Sequence, residues 1–445
     1  MDTPICDFVK RYSESKPLRL HMPGHKGHVY LGAEPFDITE FDGADVLYSA
    51  NGIIKKSEAN AASLFGTALT EYSTEGSSLS IRAMLYLALL CAKEKGIAPL
   101  IAAGRNAHKT LINTAAMLDF DIMWLHGTDD SVLSCKITAQ SFEKALSESK
   151  ELPCALYITS PDYLGNISDI QGLSKVCKKH RILLLVDNAH GAYLNFLEES
   201  RHPMALGADM CCDSAHKTLP VLTGGGYLHI SQSAPPLCRE MAENAMSLFA
   251  STSPSYIILQ SLDQANRRLD DGYRERLAKL SKAVTSLKQR LSLLGFTVVG
   301  DEPVKLTLMP KLYGYTGIEV SELLYRKGIV CEFYDSDYVV MMFTPDISDD
   351  ELMRLENALS ALPRRTPVSV APPIITDAVR AMSIREATLS PSVEIPIEGS
   401  AGRVLANANV ACPPAIPIAV CGEVINDAAI AAFRYYGIGS IRVVK

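Results

Sequence analysis

Cys211-Cys212-Asp213-Ser214-Ala215-His216-Lys217-Thr218-Leu219, followed by the glycine triplet Gly224–Gly226, sets a lone lysine between an apolar segment and a compact turn. Residues 208–212 read as a strand, and small polar residues lead from it to Lys217. A lysine held close to the backbone there is partly desolvated. Desolvation lowers an amine's pKa and lets it act as a nucleophile toward an aldehyde. Alone, the segment reads as a surface lysine ending a strand. The residues upstream overturn that.

Residues 182–186, Ile-Leu-Leu-Leu-Val, form a continuous apolar run, the mark of a strand buried on both faces, and they end in Asp187-Asn188-Ala189-His190-Gly191. Further strands are expected at 100–103, 121–125 and 154–159, with helical periodicity from 169 to 180 and from 109 to about 118. Thr74-Glu75-Gly76-Ser77-Ser78 precedes an apolar stretch, 79–92, closed by Lys93, Lys95 and Gly96, which predicts a helix whose start offers N–H groups and hydroxyls to a phosphate. Strands alternating with helices predict a doubly wound α/β domain, with ligands beyond the carboxyl ends of the strands. Asp187 lies at one such end and Lys217 near another. A carboxylate in that position is costly unless a cation is paired with it.

The totals agree with an ordinary globular protein. Of the 445 residues, 47% are apolar and 21% charged, which allows two large domains or roughly three smaller ones. The net charge of −7, with basic residues dispersed, argues against a nucleic-acid or anionic-membrane partner. Eleven cysteines without a C-x-x-C pair read as reduced thiols of a cytoplasmic chain. No apolar run reaches the roughly 20 residues of a membrane span, and no signal peptide is expected. His21, His25 and His28 invite a metal, but Pro23 and Gly24 keep His21 and His25 off one helix face, so no metal site is assigned. Four regions are expected: an arm over 1–30, a large domain over 31–255, a helical connector and small α+β domain over 256–365, and a C-terminal α+β domain over 366–445.

A phosphate-ready helix start, an aspartate ending a central strand and a lysine 30 residues later meet the needs of pyridoxal phosphate. Together with H-M-P-G-H-K-G at His21, D-I-T-E-F-D-G at Asp37, T-E-G-S-S at Thr74, R-N-A-H-K at Arg105, V-D-N-A-H-G at Val186 and S-A-H-K-T at Ser214, they make the chain resemble the Orn/Lys/Arg decarboxylases. These are pyridoxal-phosphate enzymes of fold type I, and the likeness is to their short bacterial, arginine-type members. T-S-P-S-Y at Thr252 and G-E-V-I at Gly422 extend the resemblance.

The resemblance implies a fold-type-I large domain with a mostly parallel sheet, and decarboxylation of a basic amino acid, arginine before lysine or ornithine. It makes Lys217 the Schiff-base lysine, Asp187 the partner of the pyridine nitrogen and His108 the ring-stacking histidine. Ser77, Ser78, Ser214 and His216 fall on the phosphate side. His190 falls near the reacting carbon, and Thr252 at the phosphate of a neighbouring subunit. A homodimer with shared active sites follows, with higher assemblies open.

The sequence departs from the family at Val46-Leu47-Tyr48-Ser49, at Cys412-Pro413-Pro414-Ala415-Ile416-Pro417 and at Cys421-Gly422-Glu423. Those regions border the substrate side chain in the family, so substrate identity stays open. Glu332, Asp335, Glu398 and Glu423 are candidate partners for a distal cation, with surface solvation the plainer account of each. Two rivals stand beside decarboxylation. One is an aminotransferase or carbon–carbon lyase, the former needing an arginine such as Arg380, Arg385 or Arg403 for the α-carboxylate. The other is a cofactor-binding homologue without activity.

Overall fold

Seven strands, β1 (Leu69–Ser73), β2 (Leu100–Gly104), β3 (Asp121–Leu125), β4 (Ala155–Thr159), β5 (Leu183–Asp187), β6 (Met210–Asp213) and β7 (Gly226–Ile230), carry the α/β part of the chain. A computed structural model describes residues 1–127, 132–374, 378–407, 411–412 and 416–445. The chain forms two compact units. One comprises residues 1–98, 154–158 and 170–276, and the other comprises 99–153, 159–169 and 277–445. Helices α1 (Pro4–Glu14), α2 (Ile53–Phe65) and α3 (Ser77–Glu94) belong to the first unit, and α4 (Lys109–Leu118) to the second.

In the first unit the strand order is β1-β7-β6-β5-β4. β5 and β6 run parallel with Asp187 opposite Cys212, and all five residues of β5 are buried, as the unbroken apolar run predicts. β1 and β7 carried no sequence signal that set them apart. β7 runs antiparallel to both of its neighbours, Tyr227 facing Tyr72 on one side and Asp213 on the other. The polar residues within these two strands (Thr70, Glu71 and His229) hide the apolar pattern, and they are buried because they bond to one another or to polar groups beneath the sheet.

In the second unit β2 and β3 pair in parallel. The same unit holds an antiparallel sheet of order β10-β11-β9-β8, built from β8 (Thr297–Val299), β9 (Lys305–Met309), β10 (Phe333–Tyr334) and β11 (Val339–Met342). The helical connector expected from residue 256 onward is two helices, Tyr256–Asp270 and Tyr273–Leu293, broken at Gly272, whose φ of +61° suits glycine. Near the C-terminus, β12 (Ser392–Pro396) pairs with Ser440–Val444. Phe433, Val443 and Leu405 join Phe333, Val340 and Leu164 in one apolar cluster. Burying each such side chain contributes about 1.5–3 kcal/mol. The segment Pro413–Ala415 of the expected C-terminal motif lies outside the described residues.

Beneath β1, two carboxyls share a dry site: Glu58 of α2 and Glu71 of β1, 2% and 1% exposed. Glu58 accepts the Tyr72 N–H at 3.0 Å, while Lys55 Nζ lies 3.4 Å from Glu71 and 2.7 Å from Glu243. Burial, reinforced by the charge of Glu71, raises Glu58 well above the ordinary glutamate range. Burial also lifts Glu71 to about 7, against the pull of Lys55. An acid whose folded pKa is raised binds its proton more tightly in the native state. Its stabilisation is therefore complete below the ordinary value and is lost as pH rises through the folded one. We predict that unfolding free energy declines between pH 4.5 and about 7. Glu71→Gln should make that decline shallower in urea titrations, and an unchanged slope would show that the pair does not hold the proton.

Candidate active site

Lys217 lies in a short helix, Ala215–Thr218, that follows β6, and its Nζ is 3.0 Å from His190 Nε2. His190 stands three residues beyond Asp187, on the turn that leaves β5, and is 5% exposed. Two segments far apart in sequence thus bring an amine and an imidazole into contact, a geometry for passing one proton between them. Asp187 is 2% exposed, and its Oδ2 accepts the Tyr157 hydroxyl at 2.8 Å. Its Oδ1 accepts the Ala189 N–H at 3.2 Å and the Cys212 thiol at 3.6 Å. Burial, then the charge of Asp187, pushes the Tyr157 phenol well above its ordinary range, so it stays a donor. Among the described residues no cationic side chain reaches Asp187; every partner is neutral.

Two of the residues expected on the phosphate side also meet. Ser214 Oγ donates to Ser77 Oγ at 2.8 Å, joining the start of α3 to the end of β6. The N-cap of α3 is Gly76, with φ +69° and no side chain to cap the helix, and Ser77 and Ser78, read as preceding it, lie within its first turn. The glycine triplet explains the closeness of this turn. Gly76 N–H donates to Gly224 O at 2.6 Å. A Cβ on Gly226 would stand 2.8 Å from Asp213 O and 3.1 Å from the Gly76 carbonyl carbon. Any side chain at Gly226 would push the two turns apart. His216 holds the Gly225 carbonyl through Nδ1 at 2.9 Å. Thr252 is exposed, in a loop whose Ser251 N–H donates to Glu75 at 2.7 Å.

His108 belongs to the second unit, where it is the N-cap of α4. Its Nδ1 accepts the Thr110 N–H at 3.2 Å and faces Thr110 Oγ1 at 2.8 Å, which leaves Nε2 to carry the proton. The arginines that an aminotransferase would need are engaged in the same unit. Arg380 bonds Asp121 at 2.6 Å, Arg385 the Ala116 and Met117 carbonyls, and Arg403 the Val444 carbonyl. Of the four acids proposed for a distal cation, Glu423 is buried and ion-paired with Arg105 at 3.1 Å, while Glu398 lies 3.7 Å from Arg434. Glu332 accepts the Tyr163 hydroxyl at 3.2 Å, and Asp335 Oδ1 accepts the N–H groups of Asp337 and Tyr338. Solvation therefore does not account for Glu423.

One group escaped the sequence reading. Asp213, fully buried at the end of β6, accepts Asn188 Nδ2 at 2.7 Å, His202 Nε2 at 3.0 Å and His229 Nε2 at 3.3 Å. Burial alone would raise its carboxyl. The charge and hydrogen bond of His202 and the bond from His229 outweigh that and hold it far below the usual carboxylate range. His229 Nδ1 is in turn tied to Thr70 Oγ1 at 2.8 Å. Because Asn188 follows Asp187 and Asp213 precedes Ser214, this network locks the ends of β5 and β6 together. The signal was present: Asp213 ends an apolar strand as Asp187 does, and the same need for a partner applies. We predict that Asp213→Ala, which strands two buried imidazoles, lowers unfolding free energy by about 3–5 kcal/mol in urea titration. A loss under about 1 kcal/mol would show the pairing to be incidental.

Comparison with known proteins gives a consistent picture. A family model described as "Orn/Lys/Arg decarboxylase, major domain" matches residues 3–295. Arginine decarboxylase of Bacillus subtilis is 27% identical over 458 residues, covering 96% of this chain and 92% of that protein. Arginine decarboxylase of Halalkalibacterium halodurans is 29% identical, covering 97% and 93%. Among solved structures, the lysine decarboxylase of Francisella novicida superposes with a TM-score of 0.81 at 17% identity, over 100% of this chain and 81% of that one. The serine palmitoyltransferase of Sphingomonas wittichii gives 0.55 at 15% identity over 79% of this chain and 82% of its own. At such identities the structural likeness shows the fold, the fold-type-I α/β architecture that the sequence predicts.

Proposed function

This chain belongs to the Orn/Lys/Arg decarboxylase family, and from that premise we propose that it releases carbon dioxide from a basic amino acid, arginine favoured over lysine or ornithine, with pyridoxal phosphate as cofactor. The observation that carries the cofactor assignment is Asp187, a buried carboxylate that the described residues supply only with neutral donors. Such a group is costly to bury unless it meets a cation, and a protonated pyridine nitrogen is one. Lys217 supplies an amine for the cofactor's aldehyde. Ser77, Ser78, Ser214 and His216, near the glycine-led start of α3, would supply donors for a phosphate. The arginine preference draws on the relatives of 27–29% identity that carry that activity in their names.

When bound, the cofactor would supply an electrophilic carbon for attachment and a charged ring that takes up the electron pair left on the substrate carbon when carbon dioxide departs. Asp187 keeps the ring nitrogen protonated, and Tyr157 fixes its carboxylate in place. His190 takes a proton from the Lys217 ammonium across 3.0 Å, leaving a neutral amine able to attack, and can return it later to the substrate carbon. His108, with its proton on Nε2, is the candidate for the ring face. Thr252, exposed on its loop, is the candidate to reach a second copy's phosphate, in a homodimer with shared sites. Ten free cysteines among the described residues suit a reducing, cytoplasmic setting. Among those residues no helix is long and apolar enough to cross a membrane.

Two variants test the assignment. Lys217→Ala should abolish the covalent attachment of pyridoxal phosphate that borohydride reduction fixes and mass spectrometry reads; attachment that persists would refute the role of the lysine. Asp187→Ala should cost several orders of magnitude in rate. Activity within about tenfold of wild type, a change of only ~1.4 kcal/mol in barrier, would refute the role of the carboxylate. A panel of arginine, lysine and ornithine scored for amine product identifies the substrate.

A further inference from the structure

Arg105 leaves the end of β2 three residues before His108, and its guanidinium is gripped from two sides. NH2 donates to Glu423 Oε2 at 3.1 Å, and the guanidinium carbon stands 4.9 Å from the centre of the Trp124 ring. Neither ionic partner is a loose surface group, the side chains being 21% and 10% exposed. Glu423 is itself braced: its Oε2 also accepts the Val420 N–H at 2.8 Å, and its carbonyl accepts Leu405 N–H at 2.9 Å. The next residue toward the N-terminus, Gly422, has φ +87° and room for no side chain, since a Cβ there would lie 2.4 Å from Met382 O. Between Arg105 and His108 the backbone has little slack. Arg105 N–H donates to Leu125 O at 3.3 Å, Ala107 N–H to Gly104 O at 3.1 Å, and Leu111 N–H to His108 O at 2.9 Å.

The far end of α4 is held by the same part of the chain. Arg385 donates to the Ala116 and Met117 carbonyls, where a helix favours a cation, and Arg380 reaches Asp121 at the start of β3. The C-terminal segment thus holds the last turn of α4 through Arg385 and, through Glu423, the residue at the end of β2 that leads to its N-cap, His108. Glu423 lies beyond residues 3–295, outside the stretch that the family model covers.

We propose that the Arg105–Glu423 ion pair is a positioning device, through which the C-terminal segment sets the orientation of His108. The proposal rests on His108 being the residue at the cofactor's ring. A guanidinium held by a buried carboxylate on one side and an indole face on the other fixes the direction in which β2 ends. The three-residue turn then transmits that direction to the imidazole. Glu423 consequently serves the chain's own guanidinium, not that of a substrate.

The test uses the full-length enzyme loaded with pyridoxal phosphate. Arg105→Ala, Glu423→Gln and His108→Ala are compared, singly and with each of the first two combined with the third. The readouts are kcat/KM and the induced circular dichroism of the cofactor. Arg105→Ala and Glu423→Gln should each lower kcat/KM at least tenfold and alter the dichroic band as His108→Ala does. Added to His108→Ala, neither should cause further loss, because residues acting through one group are not additive. Guanidinium at a sub-denaturing concentration should restore activity to Arg105→Ala, measured against wild type in the same buffer. Full additivity with His108→Ala, or a lowered melting temperature with the dichroic band and kcat/KM unchanged, would overturn the proposal. Should His108→Ala itself behave as wild type in both readouts, the role of His108 fails, and the proposal with it. Arg105→Lys, which keeps charge and stem but loses the fork, guards against misfolding of the alanine variant: it should fold and still show the altered band, and a wild-type band would count against the device.

Discussion

Two carboxylates are taken out of water at the ends of neighbouring parallel strands, and the rest of the site follows from how each is satisfied. Asp213 is supplied from within by two imidazoles and an amide, and so is a finished structural knot. Asp187, beside it in register through Cys212, has among the described residues a phenol, a backbone N–H and a thiol as partners. The same strand geometry produces one closed electrostatic account, at Asp213, and one left open, at Asp187, which the proposed cofactor would complete. The closed one holds Asn188 and Ser214 still, so that the open one faces a fixed place.

That arrangement requires the turns after β1 and β6 to come within hydroxyl contact, and glycine makes it so. Gly226 starts β7 where a methyl group would meet Asp213 and Gly76, and Gly224 adopts a φ of +101° that places its carbonyl on the Gly76 N–H. The approach of these two turns therefore depends on residues without side chains as much as on those with them. Their contribution is steric permission, which no list of donors and acceptors would contain.

Much of this was legible beforehand, for definite reasons. β5 announced itself because a strand buried on both faces leaves an unbroken apolar run, and α3 because small residues before and lysines after mark its ends. Lys217, Asp187 and Ser77 were singled out from order and spacing, Ser214 and His190 from the resemblance to the family, and the contact of Lys217 with His190 adds geometry to that order. β1 and β7 were not legible, since Thr70, Glu71 and His229 are buried polar residues whose partners are distant in sequence. The break at Gly272 was hidden by the charged periodicity on either side of it. Asp213 was passed over because its partners, His202 and His229, become neighbours only when the sheet forms. Arg105 was read as part of a motif around His108, and only folding showed that its carboxylate partner comes from more than three hundred residues away.

The shared proton beneath β1 ties the fold to the chemistry in a way neither shows alone. Replacing a carboxylate by hydrogen consumes one proton per molecule of amine formed, so a poorly buffered volume turns alkaline as carbon dioxide escapes. Glu71, lifted to about 7, ionises along that same drift, and the native state weakens as product accumulates. The direction of that drift is the one in which the buried pair ceases to favour the folded state.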